Sequence, residues 1–432
     1  MDIEKILPVV AEWLKEANLP DLTPRSVVLP TPLAKQTNIL AVVGPRRAGK
    51  TYFLFQLIRR LLEEGVSREE ILFLDFEDYR LKAFEAGDVD VLLTAFHRLT
   101  GRLPKYLFFD EIQHMPDWSR VLRTLHNRRK HVLVVTGSNS SLLSAEVATE
   151  LRGRYEDILL LPFSFREYLA FRKIAWDRAL LHTPERGRII GAFEDYLRYG
   201  GFPEVCLRDS PQEKRRLLQN YYDTIFYRDI LDRYGVKARA LLDRTMVAVL
   251  SGSAETFSLS ALERQLKAAG IPGSKRSLAN YLEMFQEAFF LIANEKFSYS
   301  ARKRLMNPVK IYVMDTGFSL LSQEFSENSG KRLETAVAIE FFRREESQFY
   351  FKGKGECDFV ITRGTRPQEA WQVCWNVTPK NEKREIGGLT EAMSELKLKR
   401  GGLITFDQEE NRTADGQAIS LLPAWKWFLG NN

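Results

Sequence analysis

Three cysteines in 432 residues are too few to build a framework. Cys206, Cys357 and Cys374 stand far apart, with no paired spacing for zinc, and no structural disulfide is expected of a chain in a reducing cytoplasm. No apolar run approaches the ~20 residues that a bilayer span requires, so no membrane partner is expected. The opening MDIEKILPVV puts no basic stretch ahead of an apolar core, so a secretory signal is not expected either. Internal repeats and low-complexity tracts are absent. Neither sign of charge dominates: a net +6 permits nucleic-acid binding without demanding it. What remains is a globular composition, 44% hydrophobic and 28% charged, on a chain long enough for roughly three domains.

The densest signal lies at 38–62. Ile39-Leu-Ala-Val-Val43 is an apolar run of strand length, and Gly44-Pro-Arg-Arg-Ala-Gly49-Lys50-Thr51 fits G-x-x-x-x-G-K-[ST]. Gly44 and Gly49 let the backbone curl its N–H groups inward onto a phosphate, with Arg47 between them in the same loop. Lys50 is placed to reach the β- and γ-phosphates and Thr51 to hold Mg²⁺. Apolar residues at 53, 54, 57, 58, 61 and 62 then mark one face of a helix. A nucleoside triphosphate and Mg²⁺ are the expected ligands.

Four further strands are predicted at Ile71–Asp75, Tyr106–Asp110, His131–Thr136 and Asp157–Leu161, separated by helical patterns, as in a parallel α/β sheet. Tyr106-Leu-Phe-Phe-Asp110-Glu111 ends in two acids. Asp110 suits the metal shell, and Glu111 can orient and polarise an attacking water. Ser138 or Asn139, after the fourth strand, could sense a γ-phosphate or simply cap a helix.

GPRRAGKT, FFDEIQ, TGSNSSLLS, LRGR (151–154) and LPFSFREYL together resemble a large family of bacterial and archaeal AAA-type ATPases. The resemblance implies ATP rather than GTP, and no guanine-reading N-K-x-D stands against that. It also implies that Arg154, or else Arg152, projects into a neighbouring subunit's nucleotide, so that the active form is a homo-oligomer, a hexameric ring. The helical stretch 162–235, broken at Gly200-Gly-Phe-Pro203, resembles the lid of such ATPases, and its Tyr221, Tyr222, Phe226 and Tyr227 read as core.

The expected fold is α/β: a P-loop AAA-type parallel sheet with a helical lid, followed by a winged helix and a PD-(D/E)XK-like α/β domain. The boundaries are 1–37 for an N-terminal segment, 38–161 for the ATPase core, 162–235 for the lid, and 236–325 and 326–432 for the last two domains. In 236–325, helices at 238–250, 259–269 and 274–288 precede strands at 291–297 and 309–314 around a basic loop, the order of a helix-turn-helix with a wing. Lys275 and Arg276 on the second helix of the pair, and Arg302, Lys303 and Arg304 in the wing, suit DNA phosphates and base edges. Winged helices also bind proteins.

In 326–432 a helix carrying Glu334, then strands carrying Asp358 and Gln372, resemble the PD-(D/E)XK nuclease core. That family puts E-x-K where this chain has Gln372-Val-Cys374. Gln cannot neutralise Mg²⁺ and Cys supplies no cation, so cleavage is not expected, with Lys380 the one shifted substitute. Arg343, Arg344, Lys352, Lys354, Lys380, Lys383 and Arg384 could bind DNA or form a solvated face. Holliday-junction resolvases share this fold, which makes branched DNA a ligand by analogy. The expected function is an ATP-hydrolysing protein acting on duplex or branched DNA; the alternative is a nucleotide-gated switch whose winged helix binds a protein.

Overall fold

A computed structural model of the full chain describes residues 1–15, 19–29, 31–137, 151, 153–176, 183, 185–322 and 328–430. They form two compact units, 1–161 and 162–432.

In the first unit five parallel strands, β1 (Ile39–Val43), β2 (Ile71–Asp75), β3 (Tyr106–Asp110), β4 (Val132–Gly137) and β5 (Tyr155–Leu159), lie in the order β2-β3-β4-β1-β5. Strands β1, β3 and β4 are buried along their whole length, and so they read as unbroken apolar runs rather than alternations. The edge strand β5 begins two residues before its expected start. It is only half-buried, and its pairing to β1 is set from Ile39↔Tyr155 onward. Helix α2 (Lys50–Glu63) buries Phe53, Leu54, Leu57, Ile58 and Leu61, the face its periodicity marks. Two further helices, α3 (Asp88–Thr100) and α4 (Trp118–Arg128), make the crossovers from β2 to β3 and from β3 to β4.

Helix α1 (Ile3–Lys15) buries Ile6, Val9, Val10 and Trp13 against this core. Trp13 Nε1 donates to the Ile71 carbonyl at 2.7 Å, and the Arg68 guanidinium covers its ring at 4.0 Å. No described helix is long and apolar enough to cross a membrane.

In the second unit, helices Phe165–Phe171, Arg186–Tyr199, Pro203–Cys206 and Pro211–Thr224 lead into a π-helical stretch, Ile225–Asp232. The later of these helices do not keep a core of their own: Phe202, Tyr221, Tyr222, Ile225 and Phe226 share one with Leu242, Met246, Phe285, Phe290 and Phe318. Tyr227 is exposed, contrary to expectation. Helices Arg239–Ser251, Leu259–Ala268 and Lys275–Glu287 pack on a small antiparallel sheet of β6 (Glu255–Phe257), β7 (Leu291–Asn294) and β8 (Val309–Val313), in the order β6-β8-β7. The expected basic loop at 298–308 is not all loop, since Ser300 caps a short helix, Ala301–Met306.

Helix Ser329–Arg343 then meets a six-stranded mixed sheet ordered β13-β14-β12-β11-β10-β9: β9 (Ser347–Lys352), β10 (Glu356–Arg363), β11 (Arg366–Val373), β12 (Arg400–Thr405), β13 (Glu410–Ala414) and β14 (Gln417–Pro423). Phe297 N donates to the Tyr350 carbonyl at 2.7 Å and Tyr350 N to the Glu295 carbonyl at 3.0 Å, which ties the chain beyond β7 to β9. The three cysteines are buried free thiols.

Candidate active site

The loop 44–51 leaves the C-terminal end of β1 and enters α2. A Cβ on Gly44 would lie 2.0 Å from the Leu160 carbonyl oxygen, so only glycine lets the loop approach β5 this closely. Gly49 caps α2 at φ +94° and Arg47 holds φ +64°, which wraps the backbone. Lys50 is buried, with Nζ donating to the carbonyls of Gly44 and Pro45 at 3.2 Å each and 3.5 Å from Glu111 Oε1. An ammonium folded over its own loop, beside left-handed backbone and the start of a helix, is the donor set that a polyphosphate fits.

Asp110 is buried at the end of β3. Thr51 Oγ1 donates to its Oδ2 at 2.6 Å, and Thr136 Oγ1 donates to its Oδ1. Burial pushes its carboxyl up to about 6; the hydroxyls of Thr136 and Thr51 oppose that rise, and the charges of Glu111 and Asp75 add to it. Asp75 pairs with Asp110 across β2 and β3 and is itself raised, chiefly by burial. An acid that its acidic neighbours raise, beside a hydroxyl that donates to it, fits a divalent cation, which Thr51 and Asp110 would hold and whose charge would offset the phosphates'.

Glu111 follows at φ +48°, its N–H donating to Thr136 Oγ1 at 2.8 Å and its carboxylate accepting from Gln113 Nε2. Thr136 therefore ties both acids to β4. The sequence reading passed over it in favour of Ser138 and Asn139, which lie outside the described residues, as does Arg152. The signal was there: Thr136 is a lone hydroxyl near the end of an otherwise apolar strand.

Arg154 precedes β5, its carbonyl accepting from Ile39 N at 2.8 Å. Ile39 starts β1 and the P-loop follows its end, so Arg154 stands at the opposite end of the sheet from the nucleotide loop of its own chain. Its Nη1 is buried without a hydrogen-bond partner among the described residues.

In the second unit, Lys275 and Arg276 are exposed on the first turn of their helix, which Ser274 caps by accepting from Ser277 N at 3.1 Å. Arg302 and Lys303 are exposed too. Arg304 is not free for phosphate: its Nε donates to Glu295 at 3.1 Å and its Nη1 to the Ser298 carbonyl at 2.8 Å. Four of the seven basic residues expected as a DNA face are likewise engaged within the chain. Arg343 and Arg344 grip Glu340, Lys352 grips Glu356, and Arg384 binds Glu385. Lys354, Lys380 and Lys383 are exposed.

Glu334 and Asp358 do converge, around a residue the sequence reading missed, while Gln372 lies beside Asp358, accepting from its N–H at 3.2 Å. Lys310, on β8, puts Nζ 2.7 Å from Glu334, 2.7 Å from Asp358 and 3.0 Å from Glu356. The cation at these acids is Lys310, not the exposed Lys380. Its only sequence signal was a lysine in the strand Val309-Lys-Ile-Tyr-Val313.

Residues 36–169 match a family described as "AAA domain", and residues 190–327 match a domain of unknown function, DUF8612. The chain is 34% identical over 402 residues to an uncharacterized protein of Methanocaldococcus jannaschii, MJ1544, covering 90% of this chain and 88% of that protein. An uncharacterized protein of Haemophilus influenzae is 29% identical over 334 residues, 76% of this chain and 81% of its own length. Among solved structures, a Walker-type ATPase of Pyrococcus abyssi aligns at 15% identity and a TM-score of 0.42, over 70% of this chain and 98% of that one. The nucleotide loop and paired acids lie inside the AAA-domain match, and the chain belongs to the family of MJ1544 and carries an AAA-type P-loop domain at residues 36–169.

Proposed function

We propose that this protein hydrolyses ATP with Mg²⁺ in a homo-oligomeric ring and couples turnover to DNA bound by its second unit. The observation that carries the reading is the convergence of Lys50, Thr51, Asp110, Glu111 and Thr136 at one end of the parallel sheet. Lys50 and the loop N–H groups bind the phosphates, Asp110 and Thr51 hold the metal, and Glu111 takes the proton of the attacking water. Arg154 stands too far along the sheet to serve its own nucleotide, which supports its acting on a neighbour's.

The DNA assignment rests on Lys275 and Arg276 at a helix N-terminus and on Arg302 and Lys303, all exposed on a three-helix, three-strand arrangement of winged-helix order. The nuclease-like region serves binding rather than cleavage, since Gln372 stands where an acid is needed. A second reading, a nucleotide-gated switch that docks a protein, is favoured by Tyr299, Leu305 and Met306, which are 72%, 80% and 77% exposed beside those same basic residues.

Steady-state ATP hydrolysis with no DNA, then with single-stranded, duplex and four-way-junction DNA at two salt concentrations, separates the two. The first reading expects one DNA form to stimulate turnover, with binding that weakens steeply in salt. It also expects Lys50→Ala to abolish hydrolysis, and Arg154→Ala protein to regain turnover when mixed with Lys50→Ala subunits. No binding and no stimulation by any DNA form would overturn it in favour of the protein switch.

A further inference from the structure

Lys310 lies in the middle strand of the small sheet, opposite Thr256 on one side and Asn294 on the other, and is 3% exposed. Its side chain leaves that sheet for a cluster of three carboxylates: Glu334 on the helix Ser329–Arg343, and Glu356 and Asp358 on β10. An ammonium has three protons, and here each finds one carboxylate oxygen.

Three further donors serve the cluster. Tyr312 donates to Glu334 Oε1 at 2.8 Å, Lys352 to Glu356 Oε2 at 2.7 Å, and Val373 N to Asp358 Oδ2 at 2.9 Å. Gln372 is committed elsewhere, accepting from Asp358 N at 3.2 Å and donating to Glu385 at 2.8 Å. A hard divalent cation such as Mg²⁺ needs about six oxygens at ~2.1 Å. This cluster offers hydrogen-bond distances, has a cation at its centre, and has Gln372 where the nuclease pattern puts a further acid. Among the described residues no group of three acid, histidine or cysteine side chains is arranged to hold a metal.

We propose that the Lys310 ammonium is the resident cation of this acidic site, standing in place of a divalent metal and excluding one for as long as it is there. Burial lowers the lysine's hold on its proton, but the neighbouring acids, Asp358 foremost, outweigh it and hold the group well above the ordinary lysine value, while burial and the Asp358 charge push the Glu334 carboxyl up to about 8. The occupant therefore keeps its charge across the physiological range. The inference stands on this cluster alone, whether or not the second unit binds DNA.

Mn²⁺ binding to the nucleotide-free full chain, read by the loss of free-Mn²⁺ electron paramagnetic resonance signal, tests it. Each protein is compared with its Asp358→Asn counterpart, so that metal bound at Asp110 cancels. The wild-type pair is expected to give identical isotherms. Lys310→Met is expected to gain one site at least tenfold tighter than any in wild type, lost again in Lys310→Met/Asp358→Asn. A wild-type Mn²⁺ site that Asp358→Asn removes would overturn the proposal, as would a folded Lys310→Met protein that gains no site. If Lys310→Met does not fold, the wild-type pair alone still decides.

Discussion

Replacing Thr136 by Val keeps the shape of the β4 end while deleting one hydroxyl that serves both Asp110 and Glu111. The hydrogen bond to the Asp110 carboxylate is charge-assisted, worth about 1.5–3 kcal/mol, and the Glu111 N–H left behind costs about 1 kcal/mol at its half-buried position. The added methyl returns roughly 0.8 kcal/mol of apolar burial. The net loss in folding stability is about 2–3 kcal/mol, readable by urea unfolding of the nucleotide-free protein. The same change acts on protonation. A bond of about 1.5–3 kcal/mol that favours the ionised form corresponds to roughly one to two pKa units at 1.36 kcal/mol each.

Asp110, already near 6, would then titrate at roughly 7–8. A protonated carboxyl does not hold a cation. Mg²⁺-dependent affinity for a fluorescent ATP analogue should fall as pH drops, and in Thr136→Val that fall should set in at higher pH than in wild type. The sign for folding is the opposite. The native state keeps a proton on Asp110 that the unfolded chain sheds near 3.8, so nucleotide-free stability declines as pH rises between that value and about 6. A Thr136→Val protein with unchanged urea midpoint and an unshifted pH profile would refute the bridging role.

Two further substitutions test how the loop is held. Gly44→Ala puts a methyl 2.0 Å from the Leu160 carbonyl, so the loop must shift, and ATP-analogue affinity should fall by at least tenfold in equilibrium binding. Arg25 is buried, with Nη1 donating to the Ala48 carbonyl inside the P-loop at 2.8 Å and Nη2 donating to the Leu161 carbonyl. Arg25→Met should cost about 3 kcal/mol of stability through those charged bonds, and hydrogen exchange of the amides at 44–49 should accelerate; unchanged exchange would show that the arginine does not brace the loop.

The positions that could be read from the sequence are those where function forces a local pattern. The P-loop spacing, the apolar strand ending in Asp110-Glu111, and the face of α2 each require particular residues within a few places of one another, and all three lie where the pattern put them. Boundaries were less legible. Strand β5 is a half-buried edge, and its start is set by pairing with β1 rather than by its own hydrophobicity. Basic residues misled in another way. Arg304, Arg343, Arg344, Lys352 and Arg384 read as a cationic surface, but each is matched to an acid within the second unit. Charge in a sequence has no address until its partner is known.

The sequence by itself determined the parallel α/β core, its nucleotide loop and the two acids at the end of β3, because phosphate binding and metal chemistry impose short-range spacing. Only the tertiary structure decided that Thr136 joins those acids across neighbouring strands, and that Lys310 fills the acidic cluster of Glu334, Glu356 and Asp358. Both are contacts between residues more than twenty positions apart. Hydrophobic periodicity says which face of a strand is buried, but not which distant polar group will meet it there.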